Sequence, residues 1–343
     1  MKRIRGFATG IGSLPHKDPS AAVDLVLKCL PEIPFWPQLP KRSVKEGMVA
    51  QFSENMPCLK VTPDGLMFDP RQYDKEMESF YERIIANDVD HFKISEDFAP
   101  GFYELCRRLK NSDLGRVELI KCQITGPFTF AGSVNSPDGK AMISDPVYMQ
   151  AVIKGLMMKG LWQIDKLKGF GKKIIIFLDE PYLACFGSAF SPLSREGVVR
   201  DLSELTRAFQ SAGALAGVHC CGNTDWSIFT DDAGMDLINF DAYGFWDKLE
   251  IYSANLKAYL SKGGLLCCGI VPTREFGPDI SLELLLGKIE AGISGLIKKG
   301  LDRDLILDNL LVSPSCGLGT LDVEKAEQIL SLLKLLSSRL RKY

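Results

Sequence analysis

Histidine, net charge and long apolar runs are scarce in this sequence, and each shortage closes off a class of protein. Only three histidines, His16, His91 and His219, stand in 343 residues, so any imidazole-dependent chemistry has three candidates. Lys and Arg number 41 against 43 Asp and Glu, a formal charge of −2, which leaves no basic surface for a polyanion and no acidic tail. Nucleic acid is therefore not an expected partner. No apolar run reaches the ~18 to 20 residues that would span a bilayer, so no membrane partner is expected either. The opening residues, Met1 to Gly6, lead into a Gly-rich segment rather than a signal-peptide core, and a cytoplasmic location is the expectation. Internal repeats of ~20 to 50 residues, low-complexity tracts and Pro/Gly/Ser-rich linkers are missing as well.

What is present is an ordinary globular composition, 46% hydrophobic and 24% charged, with ten cysteines. A long chain without a secretion signal that carries the adjacent pairs Cys220-Cys221 and Cys267-Cys268 reads as one with reduced thiols. Cys29, Cys58, Cys106, Cys122, Cys185, Cys267 and Cys268 sit in apolar runs and are expected to pack as small hydrophobes.

Short β-type runs alternate with amphipathic stretches along the whole chain, the rhythm of a parallel α/β fold. The clearest run is Lys173 to Leu178; others are Gly6 to Ile11, Ile33 to Gln38, Val117 to Ile124, Leu215 to His219, Leu237 to Phe240, Leu265 to Ile270 and Leu310 to Ser313, eight in all. Asp18-Pro19 and Ser191-Pro192 read as helix starts, and further helices are predicted over 145–168, 248–261, 281–298 and 322–340. The expected fold is a single (β/α)8 TIM barrel occupying residues 1–343. An insertion over about 39–116 separates strands 2 and 3; it is predicted to hold an extended pair around 59–69 and 91–95 and helices at 72–88 and 100–110.

Barrel enzymes place their chemistry at the C-terminal ends of strands, so the residues just after each run form a shortlist. It contains Ser13, Gln38, Asp179-Glu180, His219 with Cys221, Asp241, Thr273-Arg274 and Cys316. Histidine and thiolate are preferred zinc ligands, and His219, Cys221 and Cys316 together would leave a fourth position open. The alternative is a strand-end histidine in a core with incidental cysteines. Cys220, between the two candidates, should point to the other side of its strand. Asp179-Glu180 suits a substrate ammonium or acid/base work, against the alternative of a solvated rim. Gly10-Ile11-Gly12-Ser13-Leu14-Pro15 begins like a dinucleotide loop, but Pro15 replaces the third glycine, which excludes a nicotinamide cofactor.

Thr9 to Pro15, Gln123-Ile124-Thr125-Gly126-Pro127, Leu178-Asp179-Glu180-Pro181, His219-Cys220-Cys221 and Ser315-Cys316-Gly317-Leu318 follow the order seen in the catalytic half of cobalamin-independent methionine synthase. The chain resembles that family, in the barrel superfamily that also contains uroporphyrinogen decarboxylase. The resemblance implies zinc on His219, Cys221 and Cys316 and homocysteine as the incoming thiol. It also implies contacts from Ile11 and Ser13 to the amino acid and from Asp179 to its ammonium. Asp241 is the nearest carboxylate to the family's additional zinc-binding glutamate.

Three departures accompany the matches. The length is that of the catalytic half alone, Ala50 falls where the family carries a glutamate, and no histidine follows the seventh strand in Cys268 to Arg274. A nitrogen-bound methyl needs a proton as it leaves, worth roughly 10² to 10⁴ in rate, whereas reduced cobalt leaves without one. The expectation is a zinc-dependent S-methyltransferase making methionine from homocysteine, with Asp179 and Glu180 as catalytic carboxylates and a methyl-corrinoid or corrinoid protein as donor. Transfer to another thiol such as coenzyme M, and a non-catalytic zinc barrel that docks a corrinoid partner, are the alternatives. Tetrapyrrole decarboxylation fits less well, because no Arg-x-x-Gly-Arg segment follows the first strand.

Overall fold

The computed structural model describes residues 4–63, 65–188 and 193–342. Its strands are β1 (Phe7–Ala8), β2 (Leu59–Thr62), β3 (Gly65–Phe68), β4 (Leu119–Thr125), β5 (Lys173–Asp179), β6 (Leu215–Cys220), β7 (Leu237–Phe240), β8 (Leu265–Val271) and β9 (Leu310–Pro314). The α-helices are α1 (Pro19–Cys29), α2 (Tyr73–Ile85), α3 (Pro100–Lys110), α4 (Pro127–Ser133), α5 (Pro146–Leu167), α6 (Arg195–Ser211), α7 (Ala242–Leu249), α8 (Ser253–Ser261), α9 (Leu282–Lys298), α10 (Arg303–Asp308) and α11 (Val323–Leu340). Seven strands form one curled parallel sheet in the order β1-β9-β8-β7-β6-β5-β4. None of the described helices is long and apolar enough to cross a membrane.

The expected closed eight-stranded barrel is not what forms. Residues 33–38 lie where an eighth strand would be, yet they make only isolated bridges, Phe35 with Lys121 and Ser13 with Gln38. The reason is in the sequence: Pro31, Pro34, Pro37 and Pro40 recur every third residue, and a proline has no N–H to give a ladder. The segment is held instead by scattered bonds, from Lys121 N to Pro34 O, Gln38 N to Gly12 O and Leu14 N to Gln38 O. In the insertion, the antiparallel pair is the hairpin β2–β3, both strands falling within 59–68, and 89–92 is a 3₁₀ turn rather than a strand.

Helix starts follow the capping chemistry. Asp18 and Asp145 accept backbone N–H bonds at the heads of α1 and α5, each followed by proline in the first turn. The cap of α6 is Ser194; Ser191-Pro192 lies outside the described residues. The stretch 248–261 is split, ending α7 and forming α8 across a 3₁₀ turn at 250–252.

Side chains alternate across each strand, and that alternation builds two packed layers. Ile120, Cys122, Ile124, Ile174, Ile176, Leu178 and Val218 face the helices and join the outer core. Ile4, Ile33, Leu119, Ile175, Leu237, Leu265 and Leu311 close the inner, N-terminal end of the sheet as a separate apolar cluster. Cys220 has the outward parity and is fully buried there, as its position next to inward His219 requires. All ten cysteines are free thiols, with Cys106, Cys185, Cys221 and Cys316 half-buried and the other six buried.

Candidate active site

The inward residues change character toward the strands' C-terminal ends. Thr125, Asp179, His219 and Asn239 are register partners across β4, β5, β6 and β7, so four polar side chains share one rung. Asn239 Nδ2 donates to Cys267 O at 2.9 Å and to Ser313 Oγ at 2.8 Å. A carbonyl oxygen only accepts, which fixes the amide: Oδ1 faces His219 Nδ1 at 2.5 Å and accepts its proton. The imidazole is thereby held in the tautomer that leaves Nε2 as the ligating atom.

Cys221 lies one residue beyond β6 and Cys316 two beyond β9. One ligand atom from each of His219, Cys221 and Cys316 lies within 4.8 Å of the others. The loops that carry them are tied together. Ser315 Oγ accepts from Thr273 N at 3.3 Å, Ser13 Oγ accepts from Gly319 N at 3.1 Å, and Ser13 O accepts from Leu318 N at 3.0 Å. Gly317 permits this, since a Cβ there would stand 2.3 Å from Ser13 Oγ. The Cys221 S–H bond to Cys316, and then His219, pull the Cys316 thiol below the usual thiol range, while the same shared bond pushes Cys221 up. Two thiols beside a fixed imidazole are a donor set that suits zinc, whose ligand atoms stand roughly 3.5 Å apart at ~2.0 to 2.3 Å bond lengths. His219, Cys221 and Cys316 are the residues that would hold the metal.

These groups line a cavity of about 470 Å³, within the range of small-molecule sites. Asp179 also lines it, 4% exposed, and its Oδ1 has no hydrogen-bond partner. Burial raises its pKa to about 6, opposed by the charges of Lys121 and His219. Fully buried Lys121 lies beneath, donating to Ile11 O and to Gln123 Oε1 and sitting 4.5 Å from the Phe177 ring centre. Burial lowers its pKa to about 8. Lys121 thus holds the carbonyl of Ile11, which with Ser13 lines the same cavity.

Of the other predicted carboxylates, Glu180 and Asp241 stand apart. Glu180 does not line the cavity; its oxygens accept from Phe128 N, Thr129 N and Thr129 Oγ1 at 2.9, 2.9 and 2.7 Å, so it caps α4. Gly126 makes room for it, because a Cβ there would meet the carboxylate at 2.2 Å. Asp241 Oδ1 accepts from Gly244 N at 2.9 Å as the cap of α7, and it is not part of the converging donor cluster. Ala50 is buried in a 3₁₀ turn.

Sequence reasoning missed Glu46, Lys121 and Asn239. Glu46 lines the cavity, 1% exposed, paired with Arg42 Nη1 at 2.7 Å and accepting from Leu39 N at 3.1 Å; burial raises its pKa to about 7. Nothing in the irregular segment around it marks it. Lys121 and Asn239 did carry a signal, a polar residue of inward parity inside an apolar strand.

No family profile and no curated protein matches the chain. Solved structures that it resembles include a B12-independent methionine synthase from Shewanella sp. W3-18-1 in complex with selenomethionine. That match has 17% identity and a TM-score of 0.45 over 65% of this chain and 62% of that one, so the chain spans less than two thirds of that enzyme. A 3-keto-D-glucoside 4-epimerase from E. coli matches at 14% identity and TM-score 0.37, over 71% of this chain and 85% of that chain. A putative sugar phosphate isomerase/epimerase from Anabaena variabilis ATCC 29413 matches at 11% and 0.36, over 79% and 89%.

Proposed function

We propose that the protein is a zinc-dependent S-methyltransferase that methylates a thiol amino acid, homocysteine, to give methionine. The observation that carries this is the convergence of His219, Cys221 and Cys316 in a cavity whose wall also holds the unpartnered Asp179 carboxylate. Bound zinc supplies the Lewis acidity that keeps an incoming thiol deprotonated at neutral pH. Asn239 holds the imidazole, Lys121 and Ser13 hold the first loop and the Cys316 loop in place, and Asp179 receives the ammonium group. An acceptor without an ammonium, such as coenzyme M, would leave the Asp179 oxygen unpaired in a buried site, which costs about 1–3 kcal/mol.

The favoured donor is a methyl-corrinoid, because the segment after β8, Pro272-Thr273-Arg274, carries no group that titrates near neutrality to protonate a leaving nitrogen. One observation favours a nitrogen-bound methyl instead: Glu46, with its pKa near 7, lines the cavity. Methylcobalamin and methyltetrahydrofolate offered side by side with homocysteine separate the two. Methionine from the corrinoid alone is the expected outcome; methionine from neither, with zinc bound, removes the proposal.

A further inference from the structure

Charge balance in the cavity points to a second recognition residue. Three carboxylate or guanidinium groups line it: Asp179, Glu46 and Arg274. Glu46 is paired with Arg42 at one oxygen and accepts a backbone N–H at the other. Asp179 lacks a hydrogen-bond partner at Oδ1, and Lys121 spends its own bonds on Ile11 O and Gln123 Oε1. Arg274 is exposed at the rim and makes no ion pair among the described residues. The backbone that carries it is tied to the metal-ligand loop, because the preceding Thr273, 5% exposed, donates its N–H to Ser315 Oγ, next to Cys316. The cavity therefore offers a donor cluster suited to a thiol, one buried carboxylate oxygen without a partner and, at its rim, one guanidinium without an ion pair.

We infer that Arg274 binds the carboxylate of the acceptor, so that the site reads a zwitterionic α-amino acid thiol at three points: sulfur at the His219–Cys221–Cys316 cluster, ammonium at Asp179 and carboxylate at Arg274. The inference rests on the thiol-acceptor reading above and deepens it. A guanidinium presents a planar fork that matches a carboxylate, and the pair is stronger than a neutral hydrogen bond.

The test is a thiol titration of the cobalt(II)-substituted protein, followed by sulfur-to-metal charge-transfer absorption. Homocysteine has all three handles; 4-mercaptobutyrate lacks the amine, 3-aminopropane-1-thiol lacks the acid and propanethiol lacks both. Arg274→Gln is expected to weaken homocysteine and 4-mercaptobutyrate roughly 10- to 100-fold and to leave 3-aminopropane-1-thiol unchanged. Arg274→Lys, which keeps the charge and loses the fork, should recover part of that loss. Unchanged homocysteine binding in Arg274→Gln overturns the assignment, whatever the variant does to the methyl donor, and so does an equal loss for the thiol without an acid. Wild-type protein that binds cobalt and shows no change in its charge-transfer absorption with any thiol overturns the thiol-acceptor reading itself, and Arg274's role with it.

Discussion

The two ends of the sheet's concave face are built from the same strands on opposite principles. At the N-terminal end Leu119, Ile175, Leu237, Leu265 and Leu311 meet with no polar atom among their side chains. Two residues further along four of those strands the inward positions are Lys121, Phe177, Asn239 and Cys267, and Asp179 and His219 stand at the mouth. The apolar end is satisfied by contact alone. At the mouth His219, Asn239 and Ser13 have named partners, whereas buried Asp179 Oδ1 has none and exposed Arg274 makes no ion pair among the described residues; both residues line the cavity. The same strands thus carry an apolar end that packs and a polar mouth that lines the cavity.

That division can be broken from either end. Cys316→Ala should have the largest effect: zinc near one per chain in the wild type, measured by metal analysis, falls to background together with methyl transfer, while the thermal midpoint of the metal-free protein changes little. Leu311→Ala at the apolar end should do the reverse, costing about 2–5 kcal/mol in denaturant unfolding with zinc affinity unchanged in the folded protein. Asn239→Ala should weaken zinc roughly 10- to 100-fold in chelator competition, because the imidazole loses the acceptor that fixes its tautomer. Asp241→Ala is the smallest, about 1 kcal/mol from the lost helix cap with zinc content unaltered. A tenfold fall in zinc affinity there would make Asp241 a ligand.

Much of this plan was legible in the order of residues. Runs such as Lys173 to Leu178 mark strands covered on both faces, and strand-end position alone picked out His219, Cys221, Cys316 and Asp179. Two kinds of feature were not. The prolines at 31, 34, 37 and 40 were visible, yet the apolar run through them was read as a strand, because composition outweighed the missing N–H groups. Glu180 was read with Asp179 as a pair, although neighbours on an extended chain point to opposite sides; one reached the cavity and the other the head of α4. Glu46 and Arg42 come from irregular backbone, where no period ties a side chain to a face.

The most direct test of the central claim is zinc K-edge absorption of the zinc-loaded protein with and without homocysteine. Two sulfurs in the metal's first shell, rising to three when homocysteine is added, is the result expected if His219, Cys221 and Cys316 leave one position for the acceptor thiol. A shell that keeps two sulfurs at saturating homocysteine would contradict it.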